Sequence, residues 1–92
     1  MVGCVMFHKL RRKVWELIYV PGLSSLGLCD APDRRSKKIK IRKSLRGRLK
    51  LEIIIHESLH ACAWDLDEEA VTETAKDISR LLWREGYRHK DD

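Results

Sequence analysis

Between Leu45 and Cys62 apolar residues recur at helical spacing. Leu49 and Ile53 lie on one stripe, and Leu51, Ile54, Ile55 and Leu59 flank it on the other sides. A helix of that kind has to be covered on more than one side, which makes it the centre of whatever fold forms. In a chain of 92 residues there is material for one modest core, and two layers are the natural limit. The sequence therefore reads as one domain over residues 1–92, with its core from about 13 to 86. Ser44 is placed to cap the helix at its start.

The elements around that helix are legible to different degrees. Lys13 to Val20, rich in β-branched and aromatic residues, predicts a strand that stops at Pro21-Gly22. Leu23 to Leu28 is a short strand or a loop, and Cys29 to Asp33 is turn chemistry. Lys37 to Lys43 alternates, with Ile39 and Ile41 on one face and Lys38, Lys40 and Arg42 on the other. That is the pattern of a half-buried strand with a cationic outer face, as edge strands often carry. Ala63 to Leu66 reads as a break. Asp67 and Glu68 then open a second helix with acid at its N-terminus, Val71, Ala75, Ile78 and Leu82 form its apolar stripe, and Gly86 stops it. The tail from Tyr87 is expected to fray.

Charge and cysteine content narrow the class. Hydrophobic residues make up 43% and charged residues 36% of the chain, a balance that excludes a disordered or membrane-embedded protein. No stretch approaches the roughly 20 apolar residues of a spanning helix. Met1 to Phe7 is too short for a signal-peptide core, so a cytoplasmic setting is expected. Cys4, Cys29 and Cys62 have neither paired nor metal-ribbon spacing and are expected to be reduced, as small buried apolar side chains. The net charge of +5 is uneven: Arg34 to Lys50 holds ten Lys or Arg and no acid, whereas Asp65 to Asp77 is acidic. The basic run suggests a solvated protective face, or contact with nucleic acid or an acidic partner. It holds no aromatic residue on which bases could stack.

The chemistry lies in residues 56–60, His-Glu-Ser-Leu-His. Two histidines four apart project from one face of a helix and can share an ion at about 2.0–2.1 Å. Glu57 lies about 100° round from His56 and can reach a metal-bound water without being a ligand, as a general base must. Left unpaired on so apolar a helix, each histidine would cost about 1–3 kcal/mol. A catalytic zinc takes a third protein ligand, and the acids available are Asp65, Asp67, Glu68, Glu69, Glu73 and Asp77. On a helical projection Glu68 falls beside the apolar stripe, while Glu69 and Glu73 point away from it. Asp67 is well directed but short, and is suited to the N-cap. Glu68 is the choice and Glu69 the second. Trp15, Trp64 and Trp83 are expected in or beside the core, Trp64 close enough to the metal to line a substrate pocket.

The motif His56-Glu57-x-x-His60 with a glutamate on a later helix resembles the zincin metallopeptidases of the gluzincin type. The block from Glu52 to Leu82 is similar to small zincin-like proteins of bacteria and phages. With the basic strand that precedes that block, the resemblance covers roughly the last two-thirds of the chain, specific in the five-residue motif and loose elsewhere. It implies a minimal α+β zincin-like domain, in which a small antiparallel sheet packs on the active-site helix and a second, antiparallel helix. It also implies one Zn2+ per chain held by His56, His60 and Glu68, with Glu57 activating water. The substrate would be an extended peptide lying along an edge strand, for which Lys38, Ile39, Lys40, Ile41 and Arg42 are the candidates. The spacer from His60 to Glu68 is shorter than in large gluzincins, and no residue stands out to stabilise an oxyanion. Tyr87 and His89 are too distant, since Tyr87 lies roughly 28 Å from Glu68 along a continuous helix. Tyr19 and His8 remain as candidates. The reading is thus a zinc-dependent hydrolase, most simply a protease. The alternative is a non-catalytic, metal-stabilised module whose basic face binds nucleic acid or an acidic partner.

Overall fold

The computed structural model describes residues 6–90; Cys4 and the run before Met6 lie outside them. Four strands and two helices follow one another: β1 (Met6–Leu10), β2 (Lys13–Val20), β3 (Gly27–Cys29), β4 (Lys37–Arg42), α1 (Gly47–Cys62) and α2 (Glu68–Arg84). The class is α+β, with one four-stranded sheet in the order β1-β2-β4-β3. β1 and β3 pair antiparallel with their neighbours, but β2 and β4 are parallel, so the sheet is mixed and not wholly antiparallel as expected.

That order corrects the edge-strand assignment. β4, with Lys38, Ile39, Lys40, Ile41 and Arg42, has a strand on either side and offers no free edge; its cationic face is simply the uncovered face of the sheet. Ile39 and Ile41 are fully buried on the other face. The edge strands are β1 and β3, and β3 is the one that packs closely under α1. Asp30 holds this arrangement by accepting from the Lys38 N–H at 3.0 Å. Arg42 donates from Nε and Nη2 to the carbonyls of Leu23 at 2.9 Å and Ser24 at 2.8 Å, anchoring the loop that carries the chain past β4 to the edge.

β1 extends the fold beyond the expected start near residue 13. The hairpin joining it to β2 turns through Arg11 and Arg12, both left-handed at φ 46° and 72°. Such turns usually signal themselves by Asn-Gly, and here they do not. Arg11 also serves the central helix. Its guanidinium donates to the Cys62 carbonyl at 2.7 Å, satisfying one of the orphan acceptors at the end of α1.

α1 is the central element, covered on one side by the sheet and on the other by α2. Among the described residues α2 packs on α1 and on no strand, so the layers number three and not two. The buried row of α2 is Val71, Ala75 and Ser79; Ile78, expected in the stripe, is partly exposed. Small side chains at 75 and 79 let the helices approach closely, and Arg48 reaches Ser79 Oγ at 3.5 Å, which fixes the antiparallel sense. α1 begins two residues later than expected. Ser44 is not its cap: Leu45 is drawn into the core, Arg46 is extended with no side-chain capping bond, and Gly47 makes the reversal at φ 64°. α2 starts as read, with Asp67 accepting from the Ala70 N–H at 2.7 Å. Within the described part of the tail, Arg88 stacks on Trp83 at 3.4 Å from the ring centroid.

Candidate metal centre

His56 and His60 project from the same flank of α1, next to the buried row Lys50, Ile53, Glu57 and Ala61. The break over Ala63–Leu66 turns the chain back so that the first turn of α2 arrives beside them. Glu68 then sets one carboxylate oxygen 3.1 Å from His56 Nε2 and the other 2.8 Å from His60 Nε2. The two imidazole nitrogens stand 3.2 Å apart. Glu69, the second choice, and Glu73 are exposed and belong to no such group, and Asp67 is engaged as the cap.

The donor set fits a zinc ion. Ligands about 2.0–2.1 Å from a shared ion in tetrahedral array lie about 3.3 Å from one another; the two imidazole nitrogens stand at 3.2 Å, and the Glu68 carboxylate, whose two oxygens reach one histidine each, brings a third donor within 4.8 Å. Two neutral imidazoles also cannot satisfy each other and one carboxylate together. If both donate to Glu68, two N–H groups face across the 3.2 Å gap; if one accepts from the other, its lone pair faces a carboxylate oxygen, and a shared cation removes either conflict. Among the described residues the group comprises His56, His60 and Glu68, three ligands, as in catalytic zinc sites that keep a position open.

Glu57 is buried, with 7% of its surface exposed, and is not one of the three. Burial raises its carboxyl above the ordinary range, while His56 and His60 pull it down and Glu68 raises it further. Beneath it lies β3. A Cβ on Gly27 would stand 2.9 Å from Glu57 Cγ and 3.0 Å from its Oε2, so glycine is what lets the edge strand come this close. Sequence reasoning missed Gly27; the signal was an isolated glycine in a short strand. The β3 register places Leu28 in the hydrogen-bonded pair with Lys40, flanked by Arg42 N–H to Leu26 O and Asp30 N–H to Lys38 O. The peptide groups of Gly27 and Cys29 therefore point to the open edge.

Trp64 stands beside the site, its ring centroid 6.3 Å from that of His60, and about half its surface is exposed. Tyr19 and His8 are not at the metal centre. They line a groove on the opposite flank of α1, because Trp15, Leu17 and Tyr19 share the sheet face that His8 joins through its pairing with Trp15. The oxyanion candidates are thereby removed from the chemistry. The basic run is also divided. Lys38 and Lys40 lie on the outer sheet face, whereas Lys43, Arg46 and Lys50 gather at the groove.

No protein-family model, curated protein or solved structure matches this chain. No described helix is long and apolar enough to cross a membrane.

Proposed function

We propose that the chain is a zinc-dependent hydrolase of protease type, resembling a minimal zincin. The observation that carries this reading is the convergence of His56 Nε2, His60 Nε2 and the Glu68 carboxylate, with buried Glu57 one residue along the same helix. Those three side chains would hold a zinc ion, which would supply Lewis acidity toward a carbonyl and acidify water.

The protein's own residues do the rest. An extended peptide pairs with the open edge of β3 through the backbone of Gly27 and Cys29, an added-strand mode in which main-chain hydrogen bonds give affinity. That pairing lays its carbonyl beneath Glu57 and the histidines, close to the exposed face of Trp64. Glu57 takes a proton from the attacking water and delivers it to the leaving amine. Its burial favours this work by holding the carboxylate less acidic than usual, nearer to a useful working range. The free thiols of Cys29 and Cys62 suit a reducing compartment, and a cytoplasmic setting is part of the proposal.

The test is to measure zinc per chain by elemental analysis and hydrolysis of a fluorogenic peptide library, in wild type, His56→Ala and Glu57→Gln. About one zinc per chain, lost in His56→Ala and kept in Glu57→Gln with hydrolysis abolished, is the expected pattern. Zinc retention with no hydrolysis in the wild type would favour the alternative, a metal-stabilised binding module. No zinc at all would remove both.

A further inference from the structure

On the flank of α1 away from the metal centre, the helix leaves half of the sheet uncovered. α1 lies mainly over β3 and β4 and meets β1 to a lesser extent, and the inner face of β1 and β2 forms the floor of a groove of about 720 Å3. This is the size range of small-molecule sites. Met6, Leu10, Leu17, Ile39 and Ile54 give it an apolar body. Its rim is of one sign: Lys43, Arg46, Lys50 and Lys90 border it, and no acidic side chain does among the described residues.

Lys50 makes this more than a greasy cleft. It is only 6% exposed, a degree of burial that lysine seldom accepts without a counter-charge. Among the described residues it has no carboxylate partner, and its ammonium rests over the Tyr19 ring at 4.9 Å from the centroid. Arg46 is steadied by donating to the carbonyls of Lys43 and Leu45 at 3.0 and 2.9 Å, which keeps a second cation at the same end. Trp15, also in the wall, holds its indole Nε1–H buried without an acceptor. Among the described residues, then, an apolar trough ends in cations without a counter-charge and a buried donor without an acceptor, and what that chemistry suits is an anion attached to a hydrocarbon.

We propose that this groove binds a single-chain anionic amphiphile of the fatty-acid class. The carboxylate sits at Lys50 and Arg46, and the chain lies along Leu17, Ile54 and Leu10. The site is separate from the metal centre, since the groove and His56 lie on opposite flanks of α1, and it does not depend on hydrolytic activity.

The probe is dodecanoate, below its micellar concentration, titrated into the full-length protein. Binding is followed by calorimetry and by the indole N–H resonances of the three tryptophans. Saturable binding that shifts the Trp15 resonance and leaves that of Trp64 in place is the expected result. Dodecyltrimethylammonium, with the same tail and opposite charge, should bind at least about tenfold more weakly. Lys50→Met, which keeps the stem and removes the charge, should weaken dodecanoate about tenfold to hundredfold. Leu10→Trp, which fills the trough, should abolish it. His56→Ala should bind dodecanoate as wild type does, and loss of binding there would assign the carboxylate to the metal centre and overturn the proposal. So would equal binding of the cationic detergent, an unaffected Lys50→Met, or co-sedimentation with phosphatidylglycerol vesicles without binding of free dodecanoate.

Discussion

Gly27 on the edge strand and Glu57 on the central helix are in such close approach that a methyl group between them would lie 2.9 Å from Glu57 Cγ. Gly27→Ala must therefore push the strand outward or the carboxylate aside, at about 1–3 kcal/mol for overpacking. The expected outcome is a lower denaturation midpoint, retained zinc, and a fall in peptide hydrolysis larger than the stability loss explains. Gly22→Ala is the control. Gly22 sits at φ 68° with nothing near its missing Cβ, so its substitution strains the backbone and should leave hydrolysis unchanged.

Glu68 touches both histidines, and its neighbour Glu69 does not. Glu68→Gln should weaken zinc by more than the roughly 10–100-fold that loss of an outer partner costs, while Glu69→Gln should leave it unchanged. Competition with a chelator dye reads the difference directly. Equal losses in the two variants would reassign the third ligand.

Because the ion would join the end of α1 to the start of α2, zinc should raise the stability of the fold. At a free zinc concentration about a hundredfold above Kd the gain is about 2.7 kcal/mol, or more than about 10 °C in Tm for a chain of this size. A chelator should reverse it, and His60→Ala should show no shift. An identical shift in that variant would place the stabilising ion elsewhere.

Asp67 caps α2 through its bond to the Ala70 N–H, and the residue it orders next is the proposed ligand Glu68. Asp67→Ala should cost about 0.5–2 kcal/mol and weaken zinc as the first turn loosens, whereas Asp67→Asn, which keeps an accepting oxygen, should do neither. Thermal unfolding and the dye competition together measure both effects.

Cys29 lies on the inner face of β3, and its thiol is pushed up to about 12, first by burial and then by the carboxylates of Glu57 and Asp30. The reactive species is the thiolate. Alkylation of Cys29 by iodoacetamide at pH 8 should accordingly run about two to three orders of magnitude slower in the folded protein than in the unfolded chain. Peptide mapping after timed quenching gives the rate. The same shift fixes a sign for stability. The folded thiol holds its proton where the unfolded one releases it, so this group takes stability away as pH rises from 9.0 toward about 12. Cys29→Ala should flatten that part of the pH profile.

How much of this was legible in the sequence follows from how local each signal is. Helical periodicity and four-residue spacing put His56, Glu57 and His60 together on a central helix, because neighbours on one helix are fixed by 3.6-residue geometry whatever surrounds them. The break after Cys62, the Asp67 cap and the stop at Gly86 are similarly contained in a few adjacent residues.

What the tertiary structure decided is which elements meet. Alternation along Lys37 to Arg42 reports that one face is buried, and it reads the same for an interior strand as for an edge. Only the pairing of β4 between β2 and β3 shows that β4 is interior and that the edge beside α1 is β3, with Gly27 and Cys29. The burial of Lys50, the placing of Tyr19 and His8 across α1 from the metal centre, and the shift of the α2 contact row to Ser79 are likewise products of packing. So is the arrival of Glu68 at the two histidines: helical projection favoured it among six acids, but only the turn over Ala63–Leu66 and the close approach of α2 bring it there. Short-range geometry is written in the sequence itself, while contacts between distant segments depend on how volumes fit, which no single segment specifies.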